Sequence, residues 1–244
     1  MAFSSVFRQL GIIAALVPAL CWAAPPSHLS AAGGDDSDRA TYQKLLHLRT
    51  DFIQRIESEG YVPSLPAPKI EMGDPPTFGN FDANKNTLYI AIWSKLTVEE
   101  RKFFEDIAKS IGPKATARGV FEAGTTRWVF THELSHWWQA CQHKTRANSY
   151  EEEAGANRIA SAYWRERDPR FMAGMVEGFR DLRESIPSPV PSGESKIEFL
   201  DTHFAAVAIT DGYTWYQSDM VIDLAAESPL PSFHHALSQP LYPW

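Results

Sequence analysis

Residues 132–136 read His-Glu-Leu-Ser-His. On an α-helix, positions four apart stack on one face, so the imidazoles of His132 and His136 could reach a single metal ion. Zinc is the ion that this HExxH spacing suits, and Glu133 could then act as general base on a water that the metal activates. A catalytic zinc ordinarily has three protein ligands and one open position. The third ligand must therefore come from elsewhere in the chain.

A connection at 142–148 leads to Ser149, followed three residues later by Glu152, the pattern of a helix capping box. The helix so begun reads Glu153-Ala154-Gly155-Ala156-Asn157-Arg158-Ile159-Ala160. Glu153, Asn157 and Ala160 share one face with Ala156 beside them, and small residues there allow close approach to the motif helix. So short a connection makes the two helices antiparallel neighbours. Glu153 would then project at the metal, and Asn157, one turn later, could hydrogen-bond a ligand histidine and hold its tautomer. Glu152 reads most simply as the cap residue and Glu151 as a first-turn charge favoured by the helix dipole. Glu152 stays open as an alternative ligand. Asp211, in Ile-Thr-Asp-Gly-Tyr, is the runner-up, as in aspzincin-like sites.

HExxH followed on a second helix by Glu-x-x-x-Asp resembles the gluzincin group of zinc metallopeptidases. The likeness covers about 30 residues, 131–160, and departs from the group at Asn157, where Asp is usual. An amide can accept a hydrogen bond from imidazole but lacks the charge that raises ligand basicity. The metzincin pattern does not fit, because it needs Gly at 139 and His at 142, where this chain has Gln139 and Gln142. The resemblance implies one zinc per chain on His132, His136 and Glu153, with Glu133 as base and a peptide or protein as substrate. It also implies an α+β, mainly helical, zincin-like fold with a small β-sheet and the motif on an active-site helix. The alternative is a zincin-like protein that binds metal, or serves as a scaffold, without cleaving peptides. Such enzymes also use an edge strand to pair with substrate, for which 87–92 is the candidate. A Tyr or His from the C-terminal half often supports the oxyanion; His203, Tyr213 and Tyr216 are the candidates.

The positioning elements follow from periodicity and punctuation. Apolar residues from Tyr42 to Ile56 recur at helical spacing, giving a helix from Ser37 or Asp38 to about Glu59, stopped by Gly60. Five prolines make 63–76 an extended loop, 80–86 reads as an Asn/Asp-rich turn, and 87–92 as a strand. Thr97 with Glu100 caps a helix to about Ile111, ended by Gly112-Pro113. Residues 119–126 read as a loop with a possible cap at Thr125, before a motif helix over 126–141. Further helices are expected over 149–165, 171–184 and, as one or two, 197–227, with an irregular tail over 228–244. Trp128, Val129, Phe130, Leu134, Trp137 and Trp138 read mainly as core, and Trp137 or Gln139 could border a substrate cleft.

A net charge of −7 argues against a nucleic-acid or anionic-membrane partner. Arg8, the apolar run at 10–20 and the small residues before Pro25 read as a signal peptide over 1–24. A flexible linker over 25–38 and one domain over 39–244 would follow. The chain is thus expected to be exported, periplasmic or secreted in a bacterium, with no stable membrane insertion after cleavage. Of the two cysteines, Cys21 would leave with the signal, so Cys141 would have no partner and reads as a small buried hydrophobe.

Overall fold

The computed structural model describes residues 36–75, 77–144, 149–208 and 210–241. The expected signal peptide, and all of the expected linker except its last three residues, lie outside them. Those last three are already helical: α1 spans Asp36–Ser58, with Leu45, Phe52 and Ile56 buried on one stripe. It ends in a Schellman arrangement, with Gly60 at φ +88°. The Gly60 amide bonds to Glu57 O and the Tyr61 amide to Ile56 O, which satisfies carbonyls that the helix leaves open.

A three-stranded sheet follows, of β1 (Lys69–Gly73), β2 (Gly79–Asp82) and β3 (Thr87–Ala91), in the order β1-β3-β2. β1 pairs with β3 parallel and β2 pairs with it antiparallel. The sequence marks only β3. β1 sits among prolines and β2 is Gly-Asn-Phe-Asp, so both read as loop; pairing and burial against β3 override these local preferences. The expected turn is shorter than 80–86 and is held by Asp82 Oδ1, which accepts from the Asn84 and Lys85 amides.

Helix α2 (Val98–Ile111) has the expected capping box between Thr97 and Glu100. The expected loop at 119–126 is helical instead. A short α3 (Ala117–Phe121), capped by Thr116, runs into a π-helical segment, Glu122–Val129, and on into α4 (Phe130–Cys141). Gly124 and the β-branched Thr125 and Thr126 disfavour helix locally. Burial of Thr125, Thr126 and Trp128 supports it, and the Thr126 hydroxyl returns a hydrogen bond to Glu122 O.

Helix α5 (Tyr150–Arg167) is the central element, buried continuously from Glu153 to Trp164. It packs on α4, on α6 (Pro169–Ser185), on α8 (Asp211–Ala225) and on the short α9 (Phe233–Ser238); α7 (Lys196–Val207) lies against its start. Thr131 meets Trp164, His136 meets Glu153 and Gln139 meets Glu152, so α4 and α5 run antiparallel, as expected. The main core joins α1, β3, α4, α5 and α9 through Phe52, Leu88, Trp138, Tyr163 and Phe233. A second cluster around Leu200, Trp215 and Tyr216 ties α7 and α8 to the start of α5. The architecture is α+β, mainly helical with a small sheet. No helix among the described residues is long and apolar enough to cross a membrane.

Close packing of β2 on the helix leading to the motif depends on Gly79. A Cβ there would lie 2.5 Å from Val129 Cγ1 and 3.1 Å from Ile90 Cδ1, whereas one at Gly73 would meet nothing within 4 Å. Gly79→Ala should therefore cost about 1–3 kcal/mol in denaturant unfolding. Gly73→Ala should stay within about 0.5 kcal/mol of the parent.

Candidate metal centre

The motif histidines and Glu153 converge between α4 and α5. His132 Nε2 lies 3.1 Å from His136 Nε2 and 3.3 Å from Glu153 Oε2, and His136 Nε2 lies 3.7 Å from Glu153 Oε1. His132 and Glu153 are buried and His136 nearly so. Together they form a group that could hold a metal ion. Asp211, the alternative third ligand, instead stands in the first turn of α8, beyond its cap Thr210.

Amides and a hydroxyl also hold these side chains. His136 Nδ1 faces Gln139 Oε1 at 2.8 Å, and Gln139 Nε2 donates to the backbone carbonyls of Glu152 and Pro240. Glu153 Oε2 accepts from the Tyr213 hydroxyl at 2.9 Å and from Gln217 Nε2 at 2.8 Å. Asn157, expected to support a histidine, donates instead to Gln217 Oε1 at 2.7 Å and to Met220 Sδ at 3.6 Å. It thus steadies the carboxylate through Gln217. Its Oδ1 and His132 Nδ1 are both buried without a hydrogen-bond partner among the described residues.

The other sequence candidates divide. Tyr213 reaches the site, but its hydroxyl is spent on Glu153. Tyr216 does not; it is buried in the second cluster and donates to Lys196 O. His203 is exposed on α7 and stacks on Phe199. Trp137 and Gln139, offered as cleft residues, are both fully buried. Residues 87–92 do not form an edge, since β3 is paired on both sides. The edge strand at the site is β2, whose Phe81 backbone acts to lower the Glu133 pKa. Glu152 is the residue whose amide bonds to the Ser149 cap, with a carboxylate oxygen 3.8 Å from His136 Nδ1. Cys141 is free and buried. Gln139 lies one turn after His136 and was within reach of spacing arguments. Gln217 comes from a helix some 60 residues on, and no local pattern marks it.

Burial raises the pKa of Glu133, although His136 and His132 pull it down. For Glu153, burial also acts upward, but the two histidines outweigh it and hold the carboxyl well below its usual range. Burial lowers His136; Glu153, with Glu133 and Glu152 behind it, more than reverses this and pushes the ring up to about 10.

A separate cavity of about 500 Å³ opens between α1, the π-helical segment and α5. Its charges are paired within its own walls (Lys44 with Glu122, Arg127 with Asp168, Arg167 with Asp51), and it includes none of His132, His136 and Glu153. A scan against protein-family models, a search of curated proteins and a search of solved structures each returned no match.

The raised pKa of His136 has a measurable consequence. Near neutral pH the metal-free ring is protonated, and a metal ligand must be deprotonated. Binding of a divalent metal should release about one proton per chain, and affinity should rise about tenfold per pH unit between pH 6 and 9. Calorimetry in buffers of different ionisation enthalpy reads both quantities.

Proposed function

We propose that this chain is an exported zinc-dependent metallopeptidase of zincin-like fold, with His132, His136 and Glu153 as zinc ligands and Glu133 as general base. The observation that carries this reading is the convergence of His132, His136 and Glu153 from two helices, one ligand atom of each lying within 4.8 Å of the others. A tetrahedral zinc with bonds of about 2.0–2.1 Å separates its ligand atoms by roughly 3.3 Å. The donor set, two imidazoles and a carboxylate, is one that catalytic zinc uses. In His132 it is Nε2 that faces the other two side chains, while Nδ1 has no hydrogen-bond partner among the described residues, so Nε2 is the nitrogen placed to bind a metal.

Zinc at this position would supply Lewis acidity, easing deprotonation of water and polarising a carbonyl. The chain's own residues do the rest. Glu133, with its pKa raised by burial, is suited to take a proton from the attacking water near neutral pH and pass it to the leaving amine. Tyr213 and Gln217 fix the orientation of Glu153. The edge strand β2 comes near Glu133 at Phe81, and an extended peptide paired along that edge would lie beside the base, which favours a peptide substrate.

Glu133→Gln keeps the ligands and removes the base. With a broad peptide library, the parent should cleave and the variant should be slower by at least about 100-fold while holding as much zinc. Equal cleavage by both would remove Glu133 from the mechanism. Zinc bound by both with cleavage by neither would leave a metal-binding scaffold in place of an enzyme.

A further inference from the structure

We propose that the C-terminal segment at 239–241 is a working part of the metal centre: the Pro240 carbonyl holds the Gln139 amide, and Gln139 in turn sets the ring of His136. This rests on the metal-binding reading above and extends the site to the far end of the described chain. Gln139 is fully buried, and its Nε2 donates to Glu152 O at 2.8 Å and Pro240 O at 2.7 Å. Two carbonyls on that side leave the amide only one way round, because the reverse would set Oε1 against two acceptors. Oε1 therefore faces His136 Nδ1, 2.8 Å away, and can only accept from it. His136 accordingly carries a proton on Nδ1, so its Nε2, beside His132 and Glu153, is the nitrogen left to bind a metal.

The segment is firmly seated. Phe233 of α9 is buried in the core, the Trp138 indole donates to Leu237 O at 3.0 Å, and Pro240 is itself buried. Where it crosses α5 the helix has Gly155. A Cβ there would come within 2.2 Å of Pro240 O and 3.0 Å of both Leu241 Cα and Gln139 Nε2. The first two are backbone atoms, so an alanine at 155 must displace the segment, and it presses on the Gln139 amide as well. Without Pro240, one buried Gln139 donor loses its partner and only Glu152 O holds the amide.

The test compares the parent with Gly155→Ala, with a deletion of 239–244, with Gln139→Ala, and with the deletion combined with Gln139→Ala. Zinc affinity is measured by chelator competition, and the Nδ1–H signal of His136 is followed in 15N-histidine-labelled protein. Each single change should weaken zinc binding about tenfold, as loss of a partner behind a ligand does. The deletion should add nothing once Gln139 is alanine, because the two act in series. The Nδ1–H signal should exchange faster in every variant. Parental affinity in both Gly155→Ala and the deletion, or losses that simply add, would overturn the relay. If the deletion does not fold, the shorter deletion of 240–244, which still removes the Pro240 carbonyl, carries the comparison. If the parent binds no zinc, the metallopeptidase reading fails by itself and the ring signal still decides: an unchanged signal in the tail variants overturns the relay, and a lost one supports it.

Discussion

Two imidazoles and a carboxylate are buried within 3.7 Å of one another, and the rest of the structure answers to that cost. Polar and ionisable groups taken out of water are expensive unless they are paired or bound to an ion. In the metal-free chain, pairing is the ionic contact between His136 and Glu153, which raises the one pKa and lowers the other. A bound metal would replace the proton between them. The group is thus a site whose parts are tolerable in the core only together, and each neighbouring element contributes something that keeps them so.

Those contributions are mostly neutral. Gln139, Gln217, Asn157 and Tyr213 place donors and acceptors around the ligands without adding a further charge. Helix α5 makes the arrangement sterically possible. Ala154, Gly155, Ala156 and Ala160 are small and buried, so α4, α8 and the C-terminal segment all come close enough for short hydrogen bonds. From the other side, β2 sits against the helix leading to the motif because Gly79 has no side chain, which brings the Phe81 backbone to Glu133.

The sequence made legible whatever is encoded over one or two helical turns. His132, Glu133, His136 and Glu153 follow from spacing; the caps at Thr97 and Ser149 and the stop at Gly60 follow from turn chemistry. What stayed hidden depends on partners distant in the chain. β1 and β2 are strands because β3 lies between them, and β3 is therefore the centre of the sheet and no edge. The π-helical segment contradicts its own Gly and Thr residues, and buried packing decides it. Tyr213 and Tyr216 are three residues apart on one helix, yet one faces the ligands and the other the second core cluster. Spacing alone cannot say which side of α8 meets α5.

Metal content tests the centre most directly. Purified protein supplied with zinc and dialysed should hold one zinc per chain by elemental analysis, and His136→Ala and Glu153→Ala, each checked for helical content, should hold none. Absence of metal from the parent, or an undiminished zinc in folded Glu153→Ala, would contradict the assignment of these three residues as a metal site.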